Sequence, residues 1–300
     1  MTASPLVFDR DLLRRRRDRV AAGAPAHDFL LRRVAGDFCE RLDAINRRFR
    51  IVVDLGAHHG VIGAQLSRRP GVELVVRAEN SERLLAMCGA PKVAVDLEAL
   101  PFRETSVDLV VSGLAFQLVN DLPGTLVQIR RALKPDGLLL AAVAGGATLT
   151  ELRQAFVAAE ADLEGGASPR VAPMADVRDL GMLLQRAGFA LPVVDSDTVC
   201  VTYPSPLHLM RELRAMGAGN VLLERRRSPL RRATLMRAAA IYSERFGGPD
   251  GRVPATFEIL TMTAWAPHES QQQPLRPGVA KARLADALGT RERTAGEKAG

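Results

Sequence analysis

Asp54, Gly56, His58, His59 and Gly60 fall within seven positions at the end of the apolar run Ile51-Val52-Val53, the stretch of this chain whose residue types could do chemistry. A strand that turns sharply through glycines brings its backbone close to a ligand and aims the free N–H groups of the following helix at it. Asp54 closes a buried strand, where a carboxylate needs a partner, while Gly56 and Gly60 serve the turn with or without a ligand. Where a middle glycine is expected stands His58, whose ring must point away from the ligand or fill its place. A second apolar run, Val72 to Val76, leads to Glu79, where a doubly wound fold places an acid that accepts from ribose hydroxyls. A third, Val93-Ala94-Val95, ends at Asp96. The pattern predicts a nucleotide-type cofactor at the ends of successive strands. His58 and His59 are metal-ligand types, but adjacent side chains in a turn diverge and no facial-triad spacing accompanies them, so no metal site is expected.

The elements that must position these residues alternate. Ser106 to Ser112 reads as a fourth buried strand, and a helix from Leu122 to Leu133 stops at Lys134-Pro135-Asp136-Gly137 before a fifth strand, Leu138 to Val143. Asn120 and Asp121 read as the cap of that helix, and Asp108 as a cap at the start of the fourth strand. Residues 1–47 form a helical N-terminal cap and 48–145 a parallel sheet of five strands covered on both faces. Residues 146–267 complete the fold with helices from Thr148 to Leu163 and Met174 to Ala187, a closing strand pair, Val193 to Thr202 and Thr256 to Trp265, and helical material inserted over about 206–250. Residues 268–300 form a polar tail, disordered at its end. Tyr203 reads either as a pocket residue or as a core aromatic with its hydroxyl in water, and Trp265 as a core residue of the last strand.

These pieces together resemble the class I S-adenosylmethionine-dependent methyltransferases, an α/β fold with a Rossmann-like, doubly wound, seven-stranded sheet. Asp54-Leu55-Gly56-x-x-x-Gly60 matches the cofactor loop, Glu79 the ribose acid, Asp96 with Leu97 the adenine-facing pair, and Leu133-Lys134-Pro135-Asp136-Gly137 the helix-to-strand corner. Outside the core, Val7-Phe8-Asp9-Arg10, Gly145-Gly146-x-Thr148-Leu149-x-Glu151-Leu152-Arg153, Glu164-Gly165-Gly166-x-Ser168-Pro169, Arg186-Ala187-Gly188-Phe189, Val253-Pro254-Ala255-Thr256 and His268-Glu269-Ser270-Gln271 are similar to the respiratory complex I assembly factor 5 family. The resemblance implies S-adenosyl-L-methionine as cofactor, a complex I subunit as protein substrate, and arginine hydroxylation as an alternative chemistry. The malonyl-carrier methyltransferases of biotin synthesis share the pattern. This chain departs from its relatives at His58, at Glu79, where aspartate is usual, and at Gln117-Leu118, where a His-Trp pair is common. No catalytic residue can be named from the sequence, and a non-catalytic scaffold with a degenerate cofactor loop is the remaining alternative.

Composition narrows the partners. The net charge of +7 invites a nucleic-acid reading, but aromatics make up only 4% of the 300 residues, and the lysines are only Lys92, Lys134, Lys281 and Lys298, so arginine carries nearly all the positive charge. Base-stacking platforms have little material, and no nucleic-acid partner is expected. The cluster Arg14-Arg15-Arg16-Arg17 with Arg19 lies among Asp9, Asp11 and Asp18, which argues against a transit peptide. It reads as a solvated helix over the cofactor site, or as an edge that meets acidic lipid at the inner face of the membrane. Arg225-Arg226-Arg227 reads as lining the substrate entrance or as a partner surface. The cysteines, Cys39, Cys88 and Cys200, give neither a disulfide framework nor metal spacing, and no apolar run reaches the roughly 18 residues of a membrane span. A cytoplasmic location is expected.

Overall fold

The computed structural model describes residues 6–272 and, in the tail, residues 286, 289 and 290. Asp9 caps α1 (Arg10–Val20) by accepting from the Leu12 N–H at 2.9 Å. A 3-10 turn follows over Ala21–Ala26, and α2 (Phe29–Asp43) buries Leu30, Val34, Phe38 and Leu42 along one stripe. The strands are β1 (Ile51–Leu55), β2 (Leu74–Glu79), β3 (Lys92–Ala94), β4 (Val107–Gly113), β5 (Leu133–Ala144), β6 (Ala190–Tyr203) and β7 (Val253–Trp265). Between them run α3 (Val61–Leu66), α4 (Glu82–Met87), α5 (Leu122–Ala132), α6 (Thr150–Glu164), α7 (Val177–Arg186), α8 (Pro206–Ala215) and α9 (Arg232–Phe246).

The strands form one seven-stranded sheet in the order β3-β2-β1-β4-β5-β7-β6, parallel from β3 through β5 and antiparallel where β7 enters between β5 and β6. Alternation along the strands explains why the sequence reads as unbroken apolar runs. Val52, Leu109, Val111, Leu138 and Leu140 face one helical layer with Phe38, Phe156 and Tyr242, while Val53, Val110, Leu139 and Ala141 face the other with Leu126, Ile129, Leu180 and Leu184. A sheet covered on both faces needs apolar residues at every position. Chain order reverses at β1, so the connections after β1 and β4 diverge and leave a crevice at the carboxyl ends of the strands.

One expectation about these elements is corrected, the capping role of Asn120. The insertion is helical as expected, in two helices, α8 and α9, and α8 stops just before Gly217, which takes a left-handed φ of +74° that closes a helix. The chain from there to Arg231 reaches back to the N-terminus. The Asp9 N–H donates to the Val221 carbonyl, the Leu223 N–H donates to the Val7 carbonyl, and Val221 and Leu222 bury against Phe8 and Leu13. The helix cap before α5 is Asp121, whose carboxylate accepts from the Gly124 N–H at 2.8 Å. Asn120 instead accepts from the N–H groups of Val7 and Phe8, so the amide that read as a cap pins the N-terminal segment. Asp108, read as a cap at the start of the fourth strand, accepts from the Ile51 N–H and from Lys134, tying the start of β4 to the start of β1. Residues up to Pro267 form one compact unit and His268 onward a second. The disorder expected at the end of the tail lies outside the described residues.

Candidate functional site

Asp54 is fully buried at the end of β1, and one carboxylate oxygen accepts from the Gly63 N–H of α3 at 2.8 Å. The other oxygen has no partner among the described residues. Burial pushes the carboxyl up to about 7, opposed by the Gly63 hydrogen bond and by the Arg77 charge. Arg77, an arginine inside the apolar run of β2, donates to the carbonyls of Val75, Ala90 and Gly63 and to the Ser67 hydroxyl. Sequence reasoning missed it, although a charged residue in a strand buried on both faces is the signal that could have found it. Gly56 takes φ +71°, and a Cβ there would sit 2.4 Å from the Ala115 Cβ, so this glycine lets the turns after β1 and β4 touch. Gly60 takes φ +90° as the N-cap of α3, packed on Cys88.

Glu79 ends β2 with no exposed surface. One oxygen accepts from the N–H groups of Asn80 and Ser81 (3.0 Å each) and from Arg17 (3.3 Å), and the other accepts from the His58 N–H (2.9 Å). Asp96, just beyond β3, is ion-paired to Arg10, which also reaches Glu98 at 3.0 Å. Arg10 and Arg17 lie two turns apart on one face of α1, so the helix expected to be solvated turns two of its arginines onto the two acids predicted for the nucleoside. Burying the guanidinium stem and pairing its charge outweighs solvation at these positions. Leu97 points its side chain into the core beneath Gly56, leaving only its main chain for a ligand.

Two recesses flank the Arg17–Glu79 pair. One is a cleft of about 640 Å³ lined by Arg10, Asn80, Val95, Asp96 and Asn120. The other is a cavity of about 230 Å³ whose walls include Gly56, His58, Gly113, Leu114, Gln117 and Glu258. Three residues lining the cavity, His58 (φ 54°), Leu114 (φ 52°) and Leu149 (φ 54°), hold a left-handed backbone that non-glycine residues adopt at a cost of about 1 kcal/mol each. His58 and His59 meet through their Nδ1 atoms at 2.8 Å, and His59 Nε2 meets the Asp28 carboxylate at 3.0 Å. Burial and the Arg17 charge drive the His58 imidazole down to about 3, so it is neutral in the free protein. Among the described residues no group of three or more His, Cys, Asp or Glu is arranged to hold a metal ion.

Tyr203 is a core residue of β6 away from the cavity, and its hydroxyl is buried without a partner rather than reaching water. Trp265, half-buried at the end of β7, packs on Phe49. The two arginine clusters come together: Arg15, Arg16, Arg225, Arg226 and Arg227 line one basic recess, with Arg225 paired to Asp9 and Arg226 to Glu164.

The sequence and the fold have known relatives. A family model described as a methyltransferase domain matches residues 53–141, the stretch from β1 into β5. The mitochondrial arginine-hydroxylase NDUFAF5 of Danio rerio is 41% identical over 286 residues, covering 93% of this chain and 89% of its own. The chain belongs to the NDUFAF5 family. The human family member is 41% identical over 280 residues, covering 91% of this chain and 81% of its own. The chain is also similar to the malonyl-[acyl-carrier protein] O-methyltransferase of Halorhodospira halophila, 36% identical over 266 residues and covering 86% of this chain and 88% of its own. Among solved structures, the YcgJ protein from Bacillus subtilis superimposes with a TM-score of 0.54 at 11% identity, over 79% of this chain and 99% of its own. A SAM-dependent methyltransferase from Thermotoga maritima gives 0.50 at 14% identity, over 85% and 99%. At those identities the likeness places the NDUFAF5-family chain in the Rossmann-like class I methyltransferase fold.

Proposed function

We infer that this protein binds S-adenosyl-L-methionine at the carboxyl ends of β1, β2 and β3 and acts as a methyltransferase-class enzyme on a protein of respiratory complex I during its assembly. The observation that carries this reading is the placement of three acids, Asp54, Glu79 and Asp96, at the ends of three adjacent parallel strands, with the Gly56 turn opening on the cavity. The residues fit the cofactor. Asp54 keeps an oxygen without a partner at the turn, Asp96 lines the cleft on the nucleoside side with the Leu97 main chain next to it in sequence, and Gly60 sets the start of α3. Glu79 fits once Arg17 withdraws, because Arg17 and two N–H groups already use the lone pairs of one of its oxygens. Bound there, the cofactor supplies an electrophilic methyl group at the cavity.

The protein's own part is positioning and exclusion of water. The backbone of the Gly56 turn sets the approach, and Leu114, Leu149 and Leu152 give the cavity an apolar wall. The names of the relatives favour a second reading of the same site, hydroxylation of an arginine. The test is to purify the complex I subunits from cells with and without this protein and compare intact masses: an added methyl group supports the first reading, an added oxygen the second, and identical masses oppose both. Cytoplasmic residence with peripheral contact at the inner membrane belongs to the same proposal, supported by the basic recess.

A further inference from the structure

Three pieces of chain converge on the basic recess. Arg15 and Arg16 come from α1, Arg170 from the connection between α6 and α7, and Arg225, Arg226 and Arg227 from the segment between α8 and α9. The recess holds about 530 Å³, and every side chain that lines it is polar. Arg170 is matched by Glu160, Arg225 by Asp9 and Arg226 by Glu164. Arg15, Arg16 and Arg227 have no carboxylate partner among the described residues; Arg15 and Arg16 donate to the main-chain carbonyls of Asp11 and Asn220. Arg16 also faces an adjoining recess with Arg19 and Arg214, neither of them ion-paired among the described residues. Like charges gathered without counterions repel one another. The cost falls on Arg16, whose basicity is lowered first by burial and then by Arg225, Arg19 and Arg214.

The guanidinium groups on the floor of the recess are held in place. Arg16 donates to the Asn220 carbonyl at 2.8 Å, and a Cβ at Gly219 would sit 2.4 Å from the same Nη1, so this glycine leaves the guanidinium its room. Arg225 is fixed by the Leu222 carbonyl at 2.7 Å and by Asp9 at 3.0 Å, and Asp9 is itself tied to the Leu12 N–H. A guanidinium presents five N–H groups in a rigid fork. Arg16 spends one of them and Arg225 two, and the rest remain for a ligand.

We propose that this recess is a binding site for a soluble ligand that carries two or more phosphate groups, separate from the cofactor site. Fixed guanidinium forks match the oxygens of a phosphate in pairs. A single phosphate group carries about two negative charges at pH 7, fewer than the positive charges left over at Arg15, Arg16 and Arg227, with Arg19 and Arg214 beyond them. An all-polar lining gives no footing to an acyl chain, whereas segments that enter a bilayer surface combine basic residues with apolar ones. Peripheral contact with a membrane needs only surface charge and leaves the floor of the recess to a solute. Occupied, the site ties α1 to the segment between α8 and α9, the two pieces that close the crevice over the strands.

Calorimetric titration of the full chain with sodium pyrophosphate tests it, with inorganic phosphate, hexaglutamate and phosphatidylglycerol vesicles as the other probes. One-to-one binding of pyrophosphate is expected, about tenfold or more tighter than inorganic phosphate, and weakened about tenfold by Arg16→Gln or by Arg227→Gln. Arg227 is exposed, so its variant keeps the test valid if Arg16→Gln disturbs folding. Arg103→Gln removes an equal charge just before β4, at the amino end of the sheet, and leaves the affinity unchanged. Hydrogen exchange falls along Arg10–Val20 and over residues 219–227 when pyrophosphate is present. No saturable heat with pyrophosphate, equal binding of hexaglutamate, equal weakening in Arg103→Gln, or unchanged exchange in both segments overturns the proposal. Vesicle binding that depends on Arg16, without pyrophosphate binding, overturns it as well and makes the recess a membrane contact. S-adenosylhomocysteine has no phosphate, so binding of either probe without the other separates this site from the cofactor reading.

Discussion

Asp54 shows how one buried carboxyl couples the loop to pH. Burial raises its folded-state value to about 7 from an ordinary 3.8, so the unfolded chain releases that proton first. The contribution to stability is fully present below about pH 4 and is lost as pH rises toward about 7. Asp54→Asn therefore flattens the fall in melting temperature over that window; an unchanged profile in thermal melts would show that the carboxyl is already ionised in the fold. Tyr203 offers a second residue-level test, since its buried hydroxyl has no partner. Tyr203→Phe is expected to raise stability by about 1 kcal/mol in denaturant titrations, and a loss of that size would mean that the hydroxyl is satisfied. The acids and glycines were legible as a cofactor pattern because strand periodicity and the turn mark them. Arg77, the Asp28–His59–His58 chain and the Arg17–Glu79 pair were not, because they join residues far apart in sequence by contacts that no local pattern encodes.

Among the elements, α1 carries the largest difference between sequence and structure. Its arginines read as a solvated charge run, yet Arg10 and Arg17 fasten it to Asp96 and Glu79, and Asp18 accepts from the Ser81 hydroxyl at 2.6 Å. A helix pinned by ion pairs over Asp96 and Glu79, the two acids proposed for the nucleoside, is a cover that a ligand bound to those acids would displace. Arg17→Met leaves Glu79 buried with its three N–H partners and no countercharge, at a cost of about 3 kcal/mol. Hydrogen exchange should then rise along Arg10–Val20 and stay unchanged in β1 and β4; uniform protection would show that the pair does not hold the helix. The strands and the helices α5 to α7 were readable because both faces of the sheet are buried and the stop at Lys134 to Gly137 is local. The break between α8 and α9 was not, since Val221 and Leu222 leave helical geometry to pair with the N-terminal segment.

At the scale of the whole molecule, the sheet order sets a crevice where the chain reverses, and the N-terminal helices and the inserted segment close it from above. The fold was legible as a class because four motifs occur in order; the closure was not, because it depends on pairing the N-terminal segment with the stretch between α8 and α9. The fold supplies the site for S-adenosylmethionine, while His58 decides whether the loop still admits it. Titrating the purified full chain with S-adenosylhomocysteine by calorimetry, beside an Asp96→Ala variant, tests that claim most directly. The account predicts one-to-one binding with a micromolar dissociation constant, weakened about tenfold by the variant. No heat of binding from the wild-type chain, restored in His58→Gly, would contradict it and make the protein a scaffold with a closed cofactor loop.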